Sequence, residues 1–147
     1  MESKTLSIEE TFNYTPEKVW LFWQESEKLK TWWAPEGMYL EIVDHEFNEN
    51  GIWTYSMPMP NGSHFVSEGK YISISPCKKI ITSANFKPVT TGIELHINFE
   101  KIQEQTKLTV KAVHPTEAYC QQQKDLGFHA GWKAAFTRLE SALAKAG

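Results

Sequence analysis

The sequence predicts an α+β fold in which a seven-stranded antiparallel sheet curves around a long C-terminal helix, with two short helices after the first strand. Three observations lead to this prediction. After the first predicted strand, apolar residues recur at helical spacing. Alternation typical of strands, with short connections, occupies the middle of the chain, and a second run of apolar residues at helical spacing ends it. Short connections favour antiparallel pairing, and 147 residues suit one domain over residues 1–147.

The N-terminal segment contains one strand pattern and two helix starts. Residues 6–13 alternate between mostly apolar and polar side chains, which predicts a strand. Thr15 is then a predicted N-cap, with Pro16 at the first helical position, where its missing N–H costs nothing. Ser26 is a second predicted N-cap, and its helix is predicted to end at residues 35–37, which include proline and glycine.

The middle of the chain is dominated by alternating apolar and polar residues, which is the pattern of half-buried strands. Asn61-Gly62 predicts a hairpin turn, and Gly69 predicts a bend within a long strand. Six strands are predicted here, at residues 38–43, 52–57, 63–74, 79–84, 93–100 and 108–112.

The C-terminal segment is predicted to be a single helix that starts between Thr116 and Ala118. Its first turns, residues 121–125, are polar. The following residues recur at helical spacing and predict the buried stripe: Phe128, Trp132, Ala135, Phe136, Leu139, Ala142 and Leu143.

Composition excludes several classes of function. The formal net charge is −3 with both signs well mixed, which argues against a nucleic-acid partner. The N-terminus lacks a signal-peptide pattern, and no apolar run approaches the ~18 residues of a membrane span. Cys77 and Cys120 match no pairing motif. We therefore expect a cytoplasmic protein with reduced thiols, no membrane span and no nucleic-acid partner.

Metal and catalytic signatures are sparse. The five histidines lack metal-ligand spacing and no cysteine pair accompanies them, so neither a metal nor a cofactor is expected. Glu68, His64 and His96 are weak candidates for a catalytic acid or base, because each lies on a strand that could face an interior cavity.

Aromatic residues make up 13% of the chain, with six Trp and eight Phe. They could form a solid core, or they could wall a pocket for an apolar ligand. Of the adjacent pair Trp32 and Trp33, we expect Trp33 to be the cavity wall and Trp32 to pack in the core. The predicted ligand-binding residues are Trp33, Trp53, Tyr55, Met57, Phe86, Leu95, Ile97, Val110, Gly127, Phe128, Gly131 and Trp132.

Five short motifs in order resemble one known family. They are the Pro-x-x-Val-Trp stretch at 16–20, Trp-Trp-x-Pro-x-Gly at 32–37, Gly-x-Trp at 51–53, Glu-Gly-Lys-Tyr at 68–71, and Gly-(x)3-Gly-Trp at 127–132. The chain resembles, over about residues 5–145, the activator of heat-shock-protein ATPase homologues within the START-like, birch-pollen-allergen-like (SRPBCC) superfamily. The resemblance implies a helix-grip fold, like that of small single-domain bacterial members.

The resemblance implies a fold more firmly than a function. We expect the protein to bind a small hydrophobic or amphipathic molecule between the sheet and the C-terminal helix. Two alternatives remain open: a cyclase-type or hydrolase-type enzyme that uses the same cavity, and a module with a weak chaperone contact. The eukaryotic co-chaperone carries a further N-terminal domain that this sequence lacks, so chaperone activation is not expected. A monomer or a homodimer is equally compatible with the sequence.

Overall fold

The computed structural model describes residues 4–34, 38–87 and 90–146. The elements follow one another as β1 (Thr5–Phe12), α1 (Pro16–Gln24), α2 (Ser26–Leu29), β2 (Glu41–His45), β3 (Ile52–Pro58), β4 (His64–Ser75), β5 (Lys79–Lys87), β6 (Thr90–Ile102), β7 (Gln105–Val113), α3 (Glu117–Asp125) and α4 (Phe128–Lys145). Within these residues, no helix is both long and apolar enough to cross a membrane.

The sheet confirms the predicted fold class. Its seven strands are all paired antiparallel in the order β1-β7-β6-β5-β4-β3-β2, so β1 and β2 are the edges. Each strand after β2 pairs with its sequence neighbour, as short connections require. β2 starts later than predicted, at Glu41, and β6 starts earlier, at Thr90.

The helical pair between β1 and β2 packs its aromatic side chains on the sheet. The Thr15 hydroxyl accepts a hydrogen bond from the Lys18 backbone N–H at 3.4 Å, and Pro16 is the first residue of α1, as predicted. Trp23 lies against Phe99 of β6, with ring centroids 5.4 Å apart. α2 ends at Leu29, and the predicted helix end at residues 35–37 lies outside the described residues.

A close approach explains the glycine at the predicted bend in β4. Gly69 pairs with Trp53 of β3, and a Cβ at Gly69 would lie 2.7 Å from the Trp53 ring and 2.0 Å from the Ser83 carbonyl oxygen. Only a residue without a side chain fits there, because β carbons do not approach other atoms so closely. The indole of Trp53 therefore packs directly on the strand backbone.

The C-terminal segment is two helices rather than the single helix predicted. Thr116 caps α3, accepting a hydrogen bond from the Tyr119 backbone N–H at 3.1 Å. The break follows at Gly127, whose φ of 104° lies in the left-handed region that glycine adopts at little cost. The polar turns that were predicted to open one long helix therefore form a separate short helix, α3.

α4 has two different regions along its apolar stripe. Ala135, Phe136 and Leu139 are buried, and Phe136 meets Phe12 of β1 at 5.8 Å. Phe128 and Trp132 are only half-buried. The main sheet contact of α4 is with the edge strand β1, while α1 covers β6 and β7. The first turns of α4 therefore lie over a part of the sheet against which neither α1 nor α4 packs closely.

Candidate functional site

A cavity of about 400 Å³ lies between the sheet and the helices α3 and α4. This volume is within the range of small-ligand pockets, about 300–1,000 Å³. Its lining is predominantly apolar and comes from strands β3 to β6, the segment after α2, and both C-terminal helices. The lining residues are Trp32, Trp33, Leu40, Met57, Phe65, Ser67, Phe86, Ile93, His114, Gln123, Leu126, Gly127, Phe128, Gly131, Trp132, Ala135 and Arg138.

Trp33 is the centre of the aromatic wall. Its ring stacks on Phe86 of β5 at 6.4 Å and meets Trp132 of α4 edge-on at 6.2 Å. It also contacts Tyr55 at 5.5 Å, and these two residues help to line a smaller space of about 20 Å³. Its indole N–H donates to the Ser67 hydroxyl at 3.4 Å. Trp33 therefore joins the sheet and α4 across the cavity.

The neighbouring Trp32 has a different role. It is fully buried, its indole N–H donates to the Phe22 carbonyl at 2.9 Å, and its ring lies 4.5 Å from Trp23. It contributes to the cavity lining from the core side, whereas Trp33 is half-buried within the site. Both residues lie in the turn that follows α2, and their rings meet edge-on with centroids 5.5 Å apart.

Polar side chains enter the cavity at two places. Near α3, His114 is 3% exposed, and its Nδ1–H donates to the Lys4 carbonyl at 2.9 Å. Gln123 of α3 lies at the same end. Further along α4, Arg138 donates from Nε to the Trp32 carbonyl at 2.9 Å. Burial lowers the pKa of the Arg138 guanidinium, yet arginine stays protonated at neutral pH.

The structure brings seven of the twelve predicted ligand-binding residues to this cavity. They come from both walls: Trp33, Met57, Phe86, Gly127, Phe128, Gly131 and Trp132. The other five lie deeper. Trp53, Tyr55, Leu95 and Ile97 surround a separate space of about 20 Å³, and Val110 is fully buried in the core.

The deeper residues are excluded from the cavity because the helical pair covers them. Trp23 and Leu29 complete the small space around Trp53 and Tyr55. The Trp53 indole N–H donates to Thr82 at 2.8 Å, which fixes the ring within the sheet. The alternation along β3 correctly placed these side chains on the inner face, but α1 and α2 occupy the space in front of them.

A hydrogen-bonded polar group lies behind the aromatic wall. His45 donates from Nε2 to the Gln24 carbonyl at 2.8 Å, so its Nδ1 accepts from the Tyr55 hydroxyl at 2.6 Å. Burial lowers the pKa of His45 and raises the pKa of Tyr55 and Tyr71. All three groups are therefore held neutral, and the arrangement is structural in character.

The candidate acid and base residues Glu68, His64 and His96 are not among the cavity-lining residues. Alternation along the strands gives the reason, since successive side chains point to opposite faces. Phe65 and Ser67 of β4 line the cavity, so His64 and Glu68 point to the other face. His96 lies between two inward residues of β6 and contacts Glu94 at 2.7 Å.

Sequence reasoning missed the polar lining, although a signal for part of it exists. Gly127, Gly131, Ala135 and Arg138 follow one another at spacings of three or four, which places them on one face of a helix. Extending the predicted apolar stripe along that face would have included Arg138. His114 also carried a signal, because it continues the inward alternation of Leu108, Val110 and Ala112 one step beyond the end of β7.

Metal ligands do not cluster in the described part of the chain. Nowhere in residues 4–34, 38–87 and 90–146 do three or more His, Cys, Asp or Glu side chains converge in a way that could hold an ion. The expectation of a metal-free protein stays a prediction.

Comparison with known proteins identifies the family. A family model described as "Activator of Hsp90 ATPase homolog 1-like protein" matches residues 13–144. The chain belongs to this family. The match confirms the resemblance that the five sequence motifs predicted. No curated protein matches the sequence of this family member.

Solved structures share the fold of this family member at low sequence identity. A Mycobacterium smegmatis protein has a TM-score of 0.87 at 19% identity, over 99% of this chain and 94% of its own. A Nitrosomonas europaea protein has a TM-score of 0.83 at 23% identity, over 96% and 94%. An AHSA1-like protein from Aeromonas hydrophila has a TM-score of 0.77 at 17% identity, over 97% and 93%.

Proposed function

We propose that this protein binds a small hydrophobic or amphipathic molecule in the cavity between the sheet and the C-terminal helix. The observation that carries the proposal is a 400 Å³ space walled by aromatic side chains from both sides. Phe86 and Met57 come from the sheet, and Phe128 and Trp132 come from α4. Apolar walls with a few placed polar groups are the usual composition of small-ligand sites.

The two glycines at the start of α4 bear on the same proposal. A Cβ added at Gly127 or at Gly131 would meet no other atom within 4 Å. Close packing of the helix on the sheet therefore explains neither glycine: Gly127 is accounted for by its positive φ, whereas Gly131 has no such backbone requirement. Both line the cavity, so the lack of side chains there leaves room beside the helix backbone.

Filling this room tests the proposal. Gly131→Leu would place a side chain in the cavity without a clash at its Cβ. Ala134→Leu is the matched control, because Ala134 is exposed on the same helix and does not line the cavity. We expect an apolar fluorescent probe to bind the natural protein and the control at one equivalent, and to bind Gly131→Leu at least tenfold more weakly.

Native mass spectrometry of freshly purified protein provides an independent readout. A retained ligand on the natural protein, depleted in Gly131→Leu, would support the proposal. If folded protein retains no ligand and binds no member of a varied set of apolar probes, the binding function is wrong. Equal probe binding by both leucine variants and the natural protein would place the binding site elsewhere.

Chaperone contact is the second candidate, and family membership is the observation that favours it. The test is the ATPase turnover of the host's Hsp90-type chaperone with added protein. We expect no stimulation at micromolar concentration, because Trp32 of the Lys28–Trp33 region is fully buried and Trp33 is engaged in the cavity wall. A saturable rise in turnover that mutations in this region abolish would favour the chaperone function instead.

A further inference from the structure

Among the described residues, the charged side chains that line the cavity have one sign only. Arg138 is the single Lys or Arg among the described residues that line the cavity, and no Asp or Glu accompanies it. Within the described parts of the chain, no carboxylate lies within 4.0 Å of its guanidinium. A partly buried charge without a counter-ion is unfavourable, so an anion placed beside it would be stabilised.

One edge of the guanidinium is already fixed. Nε donates to the Trp32 carbonyl at 2.9 Å, and Nη2 lies 3.4 Å from the Trp33 carbonyl. These contacts hold the side chain against the segment that carries the aromatic wall. Nη1 and the second N–H of Nη2 form the other edge, and no acceptor for Nη1 occurs among the described residues. Two parallel N–H donors match the two oxygens of a carboxylate.

We propose that the ligand of this cavity is an alkyl carboxylate whose headgroup is bound by the Nη1–Nη2 edge of Arg138, with its apolar chain lying along α4 towards Gly127. This inference rests on the binding function proposed above. Arg138 is about three helical turns beyond Gly127, or about 16 Å along the axis. Trp132 and Phe128 lie between them and supply apolar contact along that length.

The single guanidinium favours a carboxylate over a phosphate headgroup. A phosphate monoester carries close to two negative charges at neutral pH and three acceptor oxygens. In the described lining, Arg138 offers one full positive charge and one edge of donors for them. A carboxylate is matched to it in both charge and number of contacts.

The headgroup is tested by comparing ligands that share one alkyl chain. Laurate, dodecanol, dodecylamine and dodecyl phosphate are titrated into the natural protein by displacement of a bound fluorescent probe, each below its micelle concentration. We expect laurate to bind about tenfold or more tightly than dodecanol, which is the typical advantage of a charge-assisted hydrogen bond. Dodecylamine should bind most weakly.

Variants of α4 then assign the effect to one residue. Arg138→Gln should reduce laurate affinity about tenfold and leave dodecanol affinity unchanged, while Arg138→Lys should keep part of the preference for laurate. Lys133→Gln is the matched control, since it removes the same charge from an exposed position of the same helix. Circular dichroism establishes that each variant is folded.

The possible outcomes test the headgroup assignment separately from the proposed binding function. Equal affinity of the natural protein for laurate and dodecanol would overturn the role of Arg138 and leave the cavity as a binding site. Tighter binding of dodecyl phosphate than of laurate would overturn the carboxylate assignment. Binding of none of the four would overturn both this inference and the proposed function. The comparison within the natural protein decides the headgroup even if Arg138→Gln does not fold.

Discussion

The two glycines at the start of α4, Gly127 at its N-cap and Gly131 inside it, should respond in opposite directions to the same substitution. Gly127 has a φ of +104°, which side chains of L-residues rarely adopt, whereas Gly131 lies within the helix. Gly127→Ala must either strain the backbone or shift the junction between α3 and α4. Gly131→Ala removes a flexible residue from a helix interior and meets no other atom within 4 Å.

The magnitudes follow from the backbone conformations. A left-handed conformation costs a residue with a Cβ roughly 1–2 kcal/mol, so Gly127→Ala should lower the free energy of unfolding by about that amount. Gly131→Ala should raise it by about 0.4–1 kcal/mol, chiefly by restricting the unfolded chain. For a domain of this size, 1 kcal/mol shifts Tm by about 2–4 °C. The two variants should therefore differ by several degrees.

Urea unfolding monitored by tryptophan fluorescence and thermal unfolding monitored by circular dichroism measure both effects. Ala134 of the same helix is exposed, and Ala134→Gly supplies the reference cost of a helical glycine. If Gly127→Ala left the free energy of unfolding unchanged, α3 and α4 would not be separated by a left-handed residue. A destabilising Gly131→Ala would mean that the space beside this glycine is filled, and the cavity reasoning would fail with it.

Three further predictions concern pH, packing and metal content. Burial lowers the pKa of His45, so on acidification the unfolded chain takes up a proton near pH 6.5, before the folded protein does. The free energy of unfolding should therefore fall as the pH drops below about 6.5. Urea titrations at several pH values should show that His45→Gln loses part of this pH dependence. Phe136→Ala should cost about 3–5 kcal/mol by the same assay, while Trp132→Ala should cost less, because Phe136 is fully buried and Trp132 lines the cavity; equal losses would contradict this. Elemental analysis of untagged protein should find no stoichiometric zinc, iron or copper, and one equivalent of any of them would refute this expectation.

The strands could be predicted because each repeats a short local pattern. Inward and outward residues alternate along β6 and β7, and a few consecutive residues of such a strand are enough to recognise this period of two. The helix break could not be predicted in the same way. A glycine within an apolar helical pattern is often tolerated, and nothing in the sequence shows that Gly127 adopts a positive φ.

The site was harder to predict than the fold, since it depends on which part of the sheet remains uncovered. The side chains of Trp53 and Tyr55 lie on the inner face of the sheet, as predicted, yet α1 and α2 pack in front of them. Phe86 and Met57 lie on the same inner face, and both line the cavity. Alternation assigns a side chain to a face of the sheet, but the position of a covering helix along that sheet is a tertiary property.

The arrangement of α4 explains how one helix both stabilises the protein and forms a site. Its second half carries Phe136, Leu139 and Leu143, which are fully buried and anchor the helix in the core. That anchor holds the first half over the sheet even though Gly127 and Gly131 contribute no packing there. Arg138 lies at the boundary, fixed by the carbonyls of the tryptophan pair rather than by the core. The proposed ligand would therefore enter and leave beside the first half without disturbing the contacts that stabilise the fold, so changes at Gly131 should alter binding more than they alter stability.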